Sequence, residues 1–261
     1  MLIFANELRQ GRRALVAWSI SVAAYAAFFI SFFGKMDMAD MIKSIPEGMR
    51  TAFDMDVLDL GTVLGFWAME GHIMTLLGGG IFATLIAASM LAKEESDRTI
   101  SFLYSKPLTR AQIVTGKLMA IFANVAIFNF IVHAGLQLGI VYLAKAEYDA
   151  GTLWWLALAS LLAHTSLASL GLAASSAMSK TKNALPLALA LPMASFAIEI
   201  IAKASERSEW MRYLSPFYYA NATDIVHNGS MARENILILA AVSAVGIALT
   251  YLTYSRKDLA A

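Results

Sequence analysis

The chain has 261 residues, 59% of them hydrophobic and 15% charged, with a mean hydropathy of +0.62. That composition argues against a soluble domain and for an all-α polytopic membrane protein. A formal net charge of +1 leaves no basic excess for nucleic acid, and zero cysteines remove disulfides and thiolate metal sites.

Residues 1–13 set Leu2, Ile3, Phe4 and Leu8 among Arg9, Arg12 and Arg13, a pattern suited to a short helix lying in the membrane interface. Residues 14–33 then stay apolar for about 20 positions, one bilayer crossing, and form the first expected span. Residues 34–65 are polar and acidic on balance; Pro46 followed by Met49, Ala52 and Phe53 reads as a short amphipathic helix on the membrane surface. The second span, 66–92, carries Gly78, Gly79 and Gly80, which either admit a close neighbouring helix or soften this one. Glu70 and His72 sit near its outer end.

Residues 93–118 are the longest charged interruption between two apolar runs. Glu94, Glu95 and Asp97 favour a helix N-terminus, so a short helix through Ile100, Phe102, Leu103 and Tyr104 is expected before Pro107 stops it. Thr109, with Gln112 three residues on, then forms a capping box that starts the next helix, and Leu108 can staple onto Ile113. The third span, 117–144, places Asn129, His133 and Gln137 on one face at i, i+4 and i+8. Polar side chains within a bilayer turn toward protein or water, so this face is expected to look inward and to line a pathway or brace packing.

The fourth span, 152–178, is rich in serines suited to helix packing, with His164 among them. A turn at 179–183 carries Lys180 and Lys182, and the fifth span, 184–202, holds Pro186 and Pro192, which predict a kinked or broken helix. Residues 203–234 are polar and include Trp210, Tyr213, Phe217, Tyr218 and Tyr219, an aromatic cluster typical of a membrane–water boundary. The sixth span is 235–254, followed by Arg256 and Lys257.

The spacing within 93–118 resembles the six-helix permease subunits of ABC transporters of the type 2, exporter-like class. Glu94, Thr99, Leu103, Ser105, Pro107, Arg110, Gly116 and Lys117 fall on that family's pattern, with Arg98 standing where Gly is usual. A Leu-Ser-Pro-Phe segment before the last span, and an aromatic followed by basic residues and Asp-Leu at the C-terminus, are further family habits. The resemblance implies that residues 1–13 form an elbow helix and that the short helix is a cytoplasmic coupling helix between spans 2 and 3. Glu94, Glu95, Arg98, Thr99, Ile100, Leu103, Tyr104, Pro107 and Arg110 would then dock on a separate ABC ATPase subunit. ATP and Mg would be bound by that partner and no cofactor by this chain. The permease would pair with a second copy, as a homodimer or heterodimer, and export its substrate.

Six spans put both termini on one side, together with Arg9, Arg12, Arg13, Lys93, Arg98, Lys106, Arg110, Lys117, Lys180 and Lys182. The opposite loops hold fewer cations and most of the acids, so the positive-inside rule places the termini in the cytoplasm of a cell membrane. The nearest approach to a phosphate-cradling loop, Thr115 to Leu118, lacks the upstream Gly and the final Ser or Thr, so ATP hydrolysis is not expected of this chain. A secondary carrier or membrane enzyme built on Asn129, His133 and Gln137 is the competing reading. A carrier would show paired intramembrane charges or an internal repeat, and the sequence has neither; an enzyme would need clustered acids or histidines at one membrane depth.

Overall fold

The apolar runs fold as helices. The computed structural model describes residues 2–35, 45–46, 50, 58–91, 93, 109–178, 183–204 and 206–256, and no strand occurs among them. Six of the helices are long and apolar enough to cross a membrane. They are α1 (Leu2–Ile30), α2 (Val63–Met90), α3 (Arg110–Ala144), α4 (Ala150–Ser176), α5 (Ala184–Ala204) and, after the short α6 (Ala222–Asn228), α7 (Arg233–Arg256).

The expected interfacial elbow is not a separate element, because residues 2–30 run as one helix. Residues 2–13 contain no proline, and Arg12 and Arg13 are good helix formers, so charge at that point marks a change of surroundings without breaking the backbone ladder. The fifth span is not broken: α5 runs as continuous helix through Pro192. Pro186 falls in the first turn, where backbone N–H groups have no intrahelical acceptor to lose.

Local chemistry sets the other boundaries. Thr62 caps α2 by accepting from the Gly65 N–H at 3.1 Å. A single π turn at Trp67–Gly71 follows, in which a Cβ on Gly71 would lie 2.3 Å from the Trp67 ring. Glycine thus lets the widened turn rest on the indole, which is fully buried and meets Phe29 edge-on. The capping box opens α3 as expected: Gln112 N–H donates to Thr109 Oγ1 at 3.2 Å, and Thr109 N–H donates to Gln112 Oε1 at 2.9 Å. Asp149 caps α4 through Thr152.

α2 and α4 are the most buried spans, and they pack on each other. α1 lies along α3, α5 along α2, and α7 along α4. The three consecutive glycines of α2 face different neighbours: Gly78 faces Val22 of α1, Gly79 faces His164 of α4, and Gly80 faces Leu167 of α4 and Pro192 of α5. They admit close helices. On α4, Ser166 donates to Leu239 O of α7 at 3.0 Å, which fixes that pair by a polar contact in an apolar setting.

Most of the segment read as a surface helix after Pro46 lies outside the described residues, as do Lys180, Lys182 and the tail from residue 257. Glu94, Glu95, Arg98, Thr99, Ile100, Leu103, Tyr104 and Pro107 also lie outside them.

Candidate functional site

Two polar sites are built into the helices, one at the end that holds the N-terminus and one midway along the spans. At the first, Glu7 of α1 is only 4% exposed, and a carboxylate so placed must be paired or neutralised. It meets Lys93, just past α2, and Lys117 of α3, whose Nζ lies 3.2 Å from Glu7 Oε1. Lys117 is itself 1% exposed and also donates to the Met90 carbonyl at the end of α2. Lys93 adds a bond to Gln10 Oε1 at 2.8 Å. One α1 carboxylate therefore holds both the exit from α2 and the start of α3.

The start of α3 is gripped from two directions. Gly116 faces α1, where a Cβ would come within 3.1 Å of Ile3, so the Gly116-Lys117 pair supplies the clearance and the charge for this contact. On the other side, Arg110 Nη1 donates to the last carbonyls of α7, Tyr254 O at 3.2 Å and Ser255 O at 3.1 Å. Thr115 Oγ1 lies 2.7 Å from Tyr251 Oη of the same helix. Of the residues expected to dock a partner, Arg110 alone is described, and these contacts place it against α7.

Sequence reasoning missed Glu7. The signal was present, since Glu7 is the single acid among the arginines of residues 1–13.

At the second site the expected polar face of α3 is partly assembled. Asn129 Nδ2 donates to Val125 O at 2.8 Å, and His133 Nδ1 donates to Asn129 O at 3.0 Å. The Asn129 side-chain amide lies 3.2 Å from Nδ1 of His164 on α4, and Nε2 of the same ring lies 3.1 Å from Leu76 O of α2; a neutral imidazole donates from one of these two nitrogens. Three spans are thereby joined through His164, which the sequence marked only as a packing position. Its ring occupies the space left by Gly79, where a Cβ would lie 2.2 Å from Cε1. Gln137 is not part of this network: it is exposed and donates to Tyr148 Oη at 2.9 Å. Asn129, His133 and Gln137 nevertheless border one cavity of about 380 Å³ between α3 and α4.

At the opposite end of the bundle from Glu7, part of the expected aromatic cluster, Tyr213, Tyr218 and Tyr219, gathers beside Arg212, while Phe217 is buried in the core and Trp210 is exposed. The Arg212 guanidinium lies 5.1 Å from the Tyr213 ring centroid and 5.0 Å from that of Tyr218, and pairs with Glu209 at 2.8 Å. Its hydrogen bond to Tyr213 raises the Arg212 pKa further above its ordinary value. Nearby, His72 Nε2 donates to Ala220 O at 3.1 Å beside a cavity of about 40 Å³ that Glu199 and Thr223 also line. Among the described residues no group of three or more His, Cys, Asp or Glu side chains is placed to hold a metal ion.

Compared with known proteins, residues 1–259 match the family model described as ABC-2 family transporter protein. No curated protein matches the chain.

Proposed function

Because the chain belongs to the ABC-2 transporter family, as a membrane-spanning permease, we propose that it exports its substrate using ATP hydrolysed on separate subunits. Those subunits dock on the segment from Glu94 to Arg110, and two permease copies enclose the substrate path with both termini in the cytoplasm. The observation that supports this most directly is the Glu7 ion cluster. A loop that only connected two spans would have no need of a buried carboxylate tying its two flanks to a third helix, at the desolvation cost that burial of charge carries. A segment that takes force from a partner does need fixed flanks, since otherwise its motion would be absorbed locally. Among the described residues, Arg9, Arg12, Arg13, Lys93, Arg110 and Lys117 gather at this same end, in keeping with a cytoplasmic face.

The test is a pull-down of the tagged chain from its native membranes, probed for an ABC ATPase. Burying a leucine at an interface contributes about 1.5–3 kcal/mol, so Leu103→Asp is expected to reduce ATPase recovery by roughly tenfold or more while insertion and expression hold. Glu7→Gln is expected to leave docking measurable but to uncouple substrate from ATP turnover. Full recovery and full transport with Leu103→Asp would overturn the docking assignment.

A further inference from the structure

The cavity between α3 and α4 has a polarity that changes along the spans. It exists because Ala126, Ala134 and Ala157 face it where larger side chains would close the gap, and its volume of about 380 Å³ falls in the size range of ligand sites. Phe130 and Trp154, each 70% exposed, form its rim on the flank of the bundle, so it opens sideways into the hydrocarbon. The deep part is lined mainly by apolar side chains: Asn129 Nδ2 and His133 Nδ1 are spent on backbone carbonyls of α3, and His133 Nε2 is buried there without a partner. The polar end is at Gln137, bonded to Tyr148 near the loop that follows α3. From Ala126 to Gln137 the helix rises about 17 Å. That is close to half of a hydrocarbon core roughly 30 Å thick, the depth of one leaflet.

We propose that this cavity binds one acyl chain of a membrane phospholipid, in the leaflet opposite the chain termini, with the ester and headgroup region at Gln137 and Tyr148. An apolar slot one leaflet deep, with its polar group at the interface end, matches a phospholipid in both length and polarity. The site depends on membrane insertion alone and not on how transport is powered.

The experiment is native mass spectrometry of the detergent-purified chain titrated with palmitoyl-oleoyl phosphatidylethanolamine. The wild type is expected to fill a first site at one lipid per chain. Ala157→Phe, which fills the cavity, is expected to weaken that step at least tenfold, and Gln137→Leu, at an exposed position that folding tolerates, severalfold. Val245→Phe, on the exposed flank of α7, is expected to leave it unchanged. Equal stepwise binding by the wild type, Ala157→Phe and Gln137→Leu would overturn the site. So would loss of dimer with unchanged lipid binding in Ala157→Phe, which would assign the cavity to a second copy. Absence of a co-purifying ATPase would bear on the permease mechanism and leave the lipid result standing.

Discussion

Gly78 and Gly79 are adjacent and identical, yet a methyl group added to each meets a different neighbour. At Gly79 it would sit 2.2 Å from His164 Cε1 and 2.8 Å from a Phe128 ring carbon, inside the most buried part of the bundle. At Gly78 it would lie 3.4 Å from Val22 Cγ2, an ordinary contact. Gly79→Ala is therefore expected to destabilise by about 1–3 kcal/mol through overpacking, and Gly78→Ala to stay within about 0.5 kcal/mol of the wild type. Thermal melts of the solubilised protein check this, and equal effects would mean that the His164 ring moves freely. The run of glycines was legible in the sequence as a sign of close packing. Which helix each glycine serves was not, because that depends on rotation about the α2 axis and on partners far away in the chain, Val22 for Gly78 and His164 for Gly79. For the same reason Asn129 was legible as an inward polar group while its contact with His164, across 35 positions, was not.

Helix ends were the most legible elements, because caps are local. The Thr109–Gln112 box is fixed by two residues three apart and appears in the structure as read. The join between residues 13 and 14 was misread, since hydropathy reports where the surroundings change and the backbone ladder crosses that point unbroken. Asp149, at the start of α4, gives a pH prediction. Hydrogen bonds from the Thr152 hydroxyl and then its backbone N–H hold this carboxyl below its ordinary value of 3.8. A folded-state pKa lowered in this way means that the cap contributes fully above the ordinary value and is lost as pH falls through the lower, folded one. Melting temperatures of the wild type and Asp149→Asn should run parallel from pH 7 to pH 5. Below the ordinary carboxyl range the wild type should fall relative to the variant, whose amide does not titrate. A constant gap across the whole range would show that the carboxylate does not cap α4.

At the scale of the whole molecule, the count of six spans and the segregation of cations predict an orientation that labelling can test. The chain has no cysteine, so single cysteines report cleanly. One replacing Asp54 or Glu209 is expected to react with a membrane-impermeant thiol reagent added to intact cells, and one replacing Lys180 is not. Outside labelling at Lys180 would invert the orientation. The spans were legible because about 20 consecutive apolar residues leave little alternative. The Glu7 cluster was not, because it is made by three segments that meet only once the bundle has formed. Joined to the unbroken course of α1, that cluster has a mechanical reading. A helix of 29 residues is about 43 Å long, well over the thickness of the hydrocarbon core. Pinned at its first two turns to the flanks of residues 94–108, and close against α3 as far as Ile30, which Gly139 faces, it would carry a tilt as one stiff rod together with α3. A tilt of about 5° imposed at the pinned end displaces the far end, near Phe33 and Gly34, by roughly 4 Å, without any hinge between them to dissipate it.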